Sequence, residues 1–150
     1  MKKVIAVLLV LAVFAVFAFA AENAKDGRFV AHKNGTVLDT KTNLTWAAKD
    51  NSNNIDWENA KSYCENYHGG GYTDWRMPTQ DELAELFDSS IIGNNDYHLT
   101  TMITLTASCL WTSETRRNAA AYFHFRYGTR HLTHQSNNLN GLVLPVRDNK

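Results

Sequence analysis

Short apolar segments separated by polar turns make up the chain after residue 28. Phe29–His32 and Thr36–Asp39 flank the pair Asn34-Gly35, which accepts the positive φ angles of a tight hairpin. This pattern predicts two antiparallel strands. A second polar turn leads into Leu44–Trp46, which we expect to form a short third strand.

The middle of the chain changes to a helical period. Trp57, Ala60, Cys64 and Tyr67 recur at steps of three and four residues, and Asp56 precedes them as a helix-capping residue. We therefore predict a first helix from Asp56 to about Tyr67, ended by the glycines that follow it. Cys64 belongs to the apolar stripe of this helix and is expected to face the interior.

A second helix is predicted to begin after Thr79. Glu82 stands three residues further on, as a capping box requires. The apolar stripe of this helix consists of Leu83, Leu86 and Phe87. Residues 88–107 show no clear period, and we expect a long irregular loop that is functional or held by tertiary contacts.

The last third of the chain has the pattern of strands. The predicted strands are Cys109–Ser113, Tyr122–Tyr127, Arg130–His134 and Leu142–Arg147. Pro145 has no amide donor, so we expect it at an edge or a bulge. Strands, two helices and again strands predict an α+β domain rather than an alternating parallel α/β sheet.

A segment of another kind precedes this domain. Lys2 and Lys3 lead into the apolar run Val4–Ala20, which ends in the small-x-small cleavage signal Ala18-Phe19-Ala20. We interpret residues 1–20 as a signal peptide and residues 21–150 as one exported domain, secreted or periplasmic, with attachment to the cell surface left open. A retained membrane anchor is the alternative, because about 17 apolar residues lie at the lower limit of a bilayer span.

Export changes the expectation for the two cysteines, Cys64 and Cys109. In an oxidising compartment two cysteines usually pair. A bond between them closes a loop of about 45 residues, which the chain-entropy model credits with at most about 4 kcal/mol. We therefore predict a disulfide, with two buried free thiols as the alternative.

Charge is divided unevenly, although 15 basic and 15 acidic residues balance over the 150 residues. Residues 21–100 hold 7 basic and 13 acidic side chains, whereas residues 101–150 hold 6 basic and 2 acidic side chains. One basic half in an exported domain is typical of proteins with an anionic partner outside the cell. The alternative is that the charges of the two halves neutralise each other in the folded domain. The overall balance speaks against nucleic-acid binding.

No motif for metal binding or catalysis stands out. His131 and His134 are three residues apart, so in a strand they point to opposite faces and chelate poorly. The loops 50–54 and 137–140 hold amides but few of the acids that calcium needs. We expect no metal and no cofactor, with calcium left open. We also expect no enzyme, because the usual nucleophile and phosphate-loop motifs are missing.

Several motifs, in order, resemble one bacterial family. They are Asn34-Gly35-Thr36-Val37-x-Asp39-x-x-Thr42-x-Leu44-x-Trp46, Trp57-x-x-Ala60-x-x-Tyr63-Cys64, Gly70-Gly71-Tyr72-x-Asp74-Trp75-Arg76-Met77-Pro78-Thr79-x-x-Glu82-Leu83, Trp111-Thr112-Ser113 and Pro145-Val146-Arg147. Over about residues 27–147 the chain resembles the Legionella collagen-like protein C-terminal domain family.

The resemblance implies a fold like that of C-type lectins, with two helices packed on small twisted antiparallel sheets and a long irregular loop region. It implies an exported binding module, because the namesake's domain engages sulfated polysaccharides, including glycosaminoglycans. The namesake carries this domain on a collagen-like trimeric stalk. This chain has no Gly-x-y repeat, so its oligomeric state stays open. Many relatives have a cysteine in the final strand where this chain has Pro145, so a partner for Cys64 can only be Cys109.

The central block of the resemblance is interpreted as structural. Tyr72, Trp75 and Met77 are large and apolar, whereas Asp74 and Arg76 alternate with them and are placed to form a local ion pair. We expect this block to fix how the first helix meets the second. It is therefore left out of the binding site.

The binding site is predicted in the basic last third. Arginine suits sulfate groups because its planar guanidinium donates two parallel hydrogen bonds. The predicted ligand-binding residues are Arg116, Arg117, Arg126, Arg130 and His131, with His124 and His134 as further candidates. Each exposed charge contact is weak, so affinity for an anionic polysaccharide requires several contacts at once.

Two other functions are kept as alternatives. A protein-interaction or surface-assembly subunit would use an apolar patch on the loop 88–107. The residues predicted for that patch are Ile91, Ile92, Met102, Ile103 and Leu105. An oxidoreductase would need a reactive thiol at Cys64 or Cys109, against which the apolar position of Cys64 speaks.

Overall fold

The computed structural model describes residues 24–137 and 141–150. Within these ranges the chain forms nine strands and two α-helices. In chain order they are β1 (Ala24–Asp26), β2 (Phe29–Ala31), β3 (Thr36–Asp39), β4 (Leu44–Ala47), α1 (Trp57–Glu65), α2 (Gln80–Leu86), β5 (Cys109–Arg116), β6 (Ala119–His124), β7 (Thr129–His134), β8 (Gly141–Leu142) and β9 (Val146–Asp148). The predicted signal peptide, residues 1–20, and residues 138–140 lie outside the described residues.

The strands form two sheets, and the α+β prediction is confirmed. The first sheet has the order β1-β2-β3-β4-β9 and the second the order β7-β6-β5-β8. Strand β8 runs parallel to β5, and the other neighbouring strands within each sheet are antiparallel. The main core joins both sheets, helix α2 and the long loop, with Trp46, Leu83, Leu99 and Phe123 among its members. No helix in the described ranges is long and apolar enough to cross a membrane.

The predicted N-terminal hairpin is confirmed. Gly35 has a φ angle of 80°, in the region that favours glycine. The backbone N–H of His32 donates to the carbonyl of Thr36 at 2.8 Å, which closes the turn. The side-chain oxygen of Asn34 accepts a hydrogen bond from the Thr36 hydroxyl at 2.8 Å. Turn chemistry and strand register therefore agree here.

Both helices begin at their predicted caps. The Asp56 carboxylate accepts from the backbone N–H of Asn59 at 2.9 Å, and α1 ends at Glu65, slightly before the predicted end. At α2 the capping box is complete. The Thr79 hydroxyl accepts from the Glu82 N–H at 3.1 Å, and the Glu82 carboxylate accepts from the Thr79 N–H at 2.8 Å.

Residues 141–148, which we call the closing segment, are not the single strand that was predicted. They pass from the second sheet, where β8 pairs with β5, to the first sheet, where β9 pairs with β4. The change occurs around Pro145, which lacks an amide donor and whose carbonyl accepts from the Ala47 N–H at 3.0 Å. Most side chains of the closing segment are buried on the way, including Leu142, Val143, Leu144 and Val146.

Strand β6 also differs from its predicted bounds. It runs over Ala119–His124 instead of Tyr122–Tyr127, because the chain turns directly after His124. The Gly128 N–H donates to the His124 carbonyl at 2.8 Å, and Gly128 has a φ angle of 66°. Arg126 therefore lies in an exposed turn and not in a strand.

The loop 88–107 is irregular, as predicted, but its apolar side chains face inward. Ile103 and Leu105 are fully buried in the main core, and Ile91 and Met102 are partly buried. Of the patch predicted from Ile91, Ile92, Met102, Ile103 and Leu105, Ile92 is exposed, at 70%. The predicted apolar patch is therefore wrong, because a loop this long is held in place by burying its own side chains.

Two arginines tie the central block to its surroundings. Arg76 binds the Glu82 carboxylate with both terminal nitrogens, at 2.9 and 2.7 Å, and also contacts Asp148. Arg147, which is buried, donates to the Asp74 carboxylate at 2.6 and 3.1 Å and lowers the pKa of that acid. The predicted Asp74–Arg76 pair is therefore wrong, since each residue has a partner in another element. Both side chains are thus engaged in ion pairs within the fold.

Substitution of a buried leucine tests how much the closing segment stabilises the fold. Leu144→Ala should lower the free energy of unfolding by about 2–5 kcal/mol, because it removes fully buried methyl groups and leaves a cavity. Leu132→Ala, at a position of β7 that is 53% exposed, is the matched control and should cost less than about 0.5 kcal/mol. Equilibrium unfolding in urea measures both values. Equal costs would contradict a stabilising role of the closing segment.

Candidate functional site

The hairpin of β6 and β7 has two faces with different surroundings. Its register pairs Tyr122 with His131 and Phe123 with Arg130. Because side chains alternate along a strand, Tyr122, His124 and His131 share one face and Arg130 projects from the other. Phe123 points into the main core on that second side. We name the four rings Tyr122, His124, Tyr127 and His131 the ring face.

The ring face consists of two stacks. The rings of Tyr122 and His131 lie 5.0 Å apart at an interplanar angle of 18°, and those of His124 and Tyr127 lie 4.7 Å apart at 21°. His124 and His131 link the stacks at 6.4 Å. Tyr127 is 68% exposed and His131 is exposed, so both stacks are open to solvent. Trp111 supports Tyr122 edge-on from the sheet at 6.0 Å.

His124 has the most constrained environment of the four rings. Burial lowers its pKa, and the nearby His131 and Arg126 also lower it. Its Nε2 atom lies 3.3 Å from the Ser108 hydroxyl, and its Nδ1 atom accepts from the Arg126 N–H at 3.3 Å. At neutral pH His124 is therefore an uncharged ring, although its neighbours are basic.

Two of the five predicted ligand-binding residues come together at the ring face. Arg126, in the turn after β6, is close enough to His124 to affect its pKa, and His131 is part of the ring face itself. Arg130 lies on the opposite face, where its guanidinium pairs with Asp81 of α2. Both members of that pair are exposed, so the pair contributes little stability.

The other two predicted residues, Arg116 and Arg117, lie at the opposite end of the hairpin. Arg116 pairs with Ala119 at the beginning of β6, whereas Arg126 follows its last residue, His124. Strand geometry of about 3.3 Å per residue separates the two ends by roughly 16 Å. The structure therefore arranges the predicted basic residues at the two ends of strand β6 and not in one cluster, with Arg116 at the end of β5 and Arg117 in the turn that follows it. We name these the turn end (Arg126 and His131) and the far end (Arg116 and Arg117).

The arginines of both ends are free of carboxylates. Arg116, Arg117 and Arg126 are exposed, and none of them forms an ion pair within residues 24–137 and 141–150. The acid closest to the far end along the chain, Glu114, accepts hydrogen bonds from the backbone N–H of Gln80 at the start of α2. Three guanidinium groups are therefore available to an external anion.

The predicted disulfide is not present: Cys64 and Cys109 are both free thiols. Cys64 is buried in a second, smaller cluster with Ala60, Met77 and Trp111. Cys109 is half-buried, and its sulfur lies 3.9 Å from the Ser108 hydroxyl. The two thiols thus have different neighbours, and burial raises the pKa of both. A thiol with a raised pKa contains little of the nucleophilic thiolate.

In the loop 50–54, which was left open as a calcium site, the carboxylate of Asp50 has a structural role. The Asp50 carboxylate accepts from the Thr106 hydroxyl at 3.0 Å and from the Ser52 N–H at 2.9 Å, which fastens this loop to the end of the loop 88–107. In residues 24–137 and 141–150 no group of three or more histidines, cysteines and acids is placed to hold a metal ion. The Asn137–Asn140 loop lies mostly outside the described residues.

Sequence reasoning missed the aromatic half of this site. Tyr122 and Tyr127 were assigned only to a strand, and His124 was considered only as a further member of the basic cluster. The alternation of Tyr122, Phe123, His124 and Phe125 carries the signal, because it places two rings on the face opposite to the buried phenylalanines. The stacking of Tyr127 on His124 depends on the turn at Gly128 and is not readable from the alternation.

Comparison with known families gives a match over most of this structure. The family described as Lcl C-terminal domain matches residues 35–147, which include both helices, strands β3 to β8 and most of β9. No curated protein matches the chain.

The state of the cysteines is directly testable. Unfolding the protein without a reductant should expose two alkylatable thiols, and mass spectrometry counts them. In the folded protein Cys64 should resist iodoacetamide because it is fully buried, and the half-buried Cys109 should react first. Unfolded protein that takes up no label would reinstate the Cys64–Cys109 bond.

Proposed function

Because the chain belongs to the Lcl C-terminal domain family, we propose that it is an exported, non-enzymatic module that binds sulfated or otherwise anionic polysaccharide. Residues 1–20 serve as the signal peptide in this proposal, and residues 21–150 are the binding domain. Export makes the polysaccharides outside the cell the accessible polyanions. No metal or cofactor takes part.

The observation that carries the proposal is the set of unpaired guanidinium groups at the two ends of strand β6. An arginine that is held by an internal carboxylate is already neutralised, whereas an unpaired one offers its planar donor fork to sulfate or carboxylate groups. Arg116, Arg117 and Arg126 are of the unpaired kind. The pair of Arg130 and Asp81 is exposed and weak, so Arg130 can exchange its partner for a ligand anion.

The distance between the two ends favours a polymeric ligand. Single exposed charge contacts contribute little each, so a small anion would be held weakly at either end. A polysaccharide chain that contacts the turn end and the far end together adds the second contact at a high effective concentration. Two separated basic ends therefore suit a long, regularly charged chain better than a single sulfate.

Heparin chromatography tests this function. The protein should be retained at low salt and elute within a NaCl gradient, because screening weakens each ion contact. Arg116→Ala/Arg117→Ala should elute at clearly lower salt, and adding Arg126→Ala should lower the elution point further. Lys25→Ala/Lys33→Ala is the matched control, because it removes two exposed positive charges from the first sheet.

The outcomes distinguish binding at these arginines from retention by the net charge of the protein. Unchanged elution of the Lys25→Ala/Lys33→Ala protein, together with early elution of the arginine variants, supports the proposed surface. Equal shifts for both double variants would mean that net charge and not the hairpin determines retention. Elution of the unsubstituted protein in the void volume at low salt would rule the function out.

A further inference from the structure

The ring face has a chemistry that charge-based binding does not require. A surface that only attracts polyanions needs exposed cations, yet here two tyrosines and two histidines form paired stacks beside them. Exposed aromatic rings keep an unfavourable contact with water, which a ligand with an apolar surface removes. The rings therefore indicate a second kind of contact with the ligand.

We propose that the ring face is a sugar-ring subsite, in which Tyr127 and His131 contact the C–H face of a pyranose ring while His124, His131 and Arg126 contact its acidic substituent. This inference rests on the proposed function and names the unit of the polysaccharide that the turn end recognises. The contact strengthens in mild acid, because protonation of His124 then adds charge to the subsite.

The shape and polarity of the ring face fit a sugar ring. A pyranose has a flat face of C–H groups and a rim of hydroxyl and acidic groups, so its binding surface needs flat rings next to hydrogen-bonding groups. At the ring face the open stacks supply the flat rings. The Thr129 hydroxyl, 2.7 Å from His131 Nε2, and the exposed guanidinium of Arg126 supply the hydrogen-bonding groups at the border. An entirely apolar partner would leave the Arg126 guanidinium without water or a bond.

The response to acid follows from the groups that surround His124. His131 faces it from β7, Cys109 is its register partner on β5, and Arg126 and Tyr127 face it from the turn. None of these is an acid. Burial and the neighbouring cations lower the pKa of His124, so the free protein resists protonation of this ring. A bound anion favours the protonated form of His124. The affinity for the anion should therefore rise as the pH falls from 7.5 to 5.5.

Two polymers separate ring contacts from charge contacts. Heparin has sulfated sugar rings, whereas polyvinyl sulfonate has comparable charge and no ring. Tyr127→Ala should weaken heparin binding about three- to tenfold, because it removes one ring of an exposed stack, and should leave polyvinyl sulfonate binding unchanged. Tyr127→Phe retains the ring and is the matched control, which should bind heparin like the unsubstituted protein. Titration calorimetry measures these affinities.

The outcomes distinguish this subsite from the proposed function. Heparin affinity of Tyr127→Ala equal to that of the unsubstituted protein, or equal losses for both polymers, would overturn the subsite and leave polyanion binding intact. Binding of neither polymer by the unsubstituted protein would overturn the proposed function, and the subsite with it.

Measuring heparin affinity at two pH values tests the role of His124. Heparin remains charged between pH 7.5 and 5.5, so a change in affinity over that range comes from the protein. The unsubstituted protein should bind heparin about threefold more tightly at pH 5.5. His124→Gln should lose most of this gain, whereas His68→Gln, at an exposed position outside the hairpin, should retain it. An equal gain in all three proteins would contradict the role of His124.

Discussion

The passage of the closing segment from one sheet to the other is the constraint on which the rest of the structure depends. Its β8 part covers the edge of β5, and its β9 part covers the edge of β4. Buried leucine and valine side chains in between fill the space where the sheets meet. The β6–β7 hairpin extends the second sheet on the far side of β5, so it presents its faces only because β5 is held firmly between two neighbours.

This arrangement explains why the proposed binding surface lies on strand β6 and its turns rather than on the long loop. The loop 88–107 buries Leu99, Ile103 and Leu105 and thereby becomes part of the core. The hairpin buries Phe123 and Phe125 on one side and keeps its other side for rings and basic groups. Its two ends lie at opposite turns, and a strand of six residues sets the distance between them. A rigid strand thus fixes the spacing of charges that an extended polymer would meet.

Local chemistry made much of the fold predictable. The Asn34-Gly35 turn, the Asp56 cap and the Thr79–Glu82 capping box were all readable, because each depends on neighbours within a few residues. The break at Pro145 and the early end of β6 were not, since they depend on which distant strand is adjacent. The candidate site was likewise predictable only where it depends on local sequence. Residue types indicated the basic residues, but their separation into two ends and the stacking of Tyr127 on His124 require the hairpin register.

The central claim is that one polyanion chain contacts both ends of the β6–β7 hairpin. Amide chemical shifts recorded while a heparin oligosaccharide is added test it most directly, because they report contacts at each residue separately. The account predicts simultaneous shifts around Arg116–Asn118 and around Arg126–Gly128, with the first sheet unchanged. Shifts confined to another surface, or none at all at saturating oligosaccharide, would contradict it.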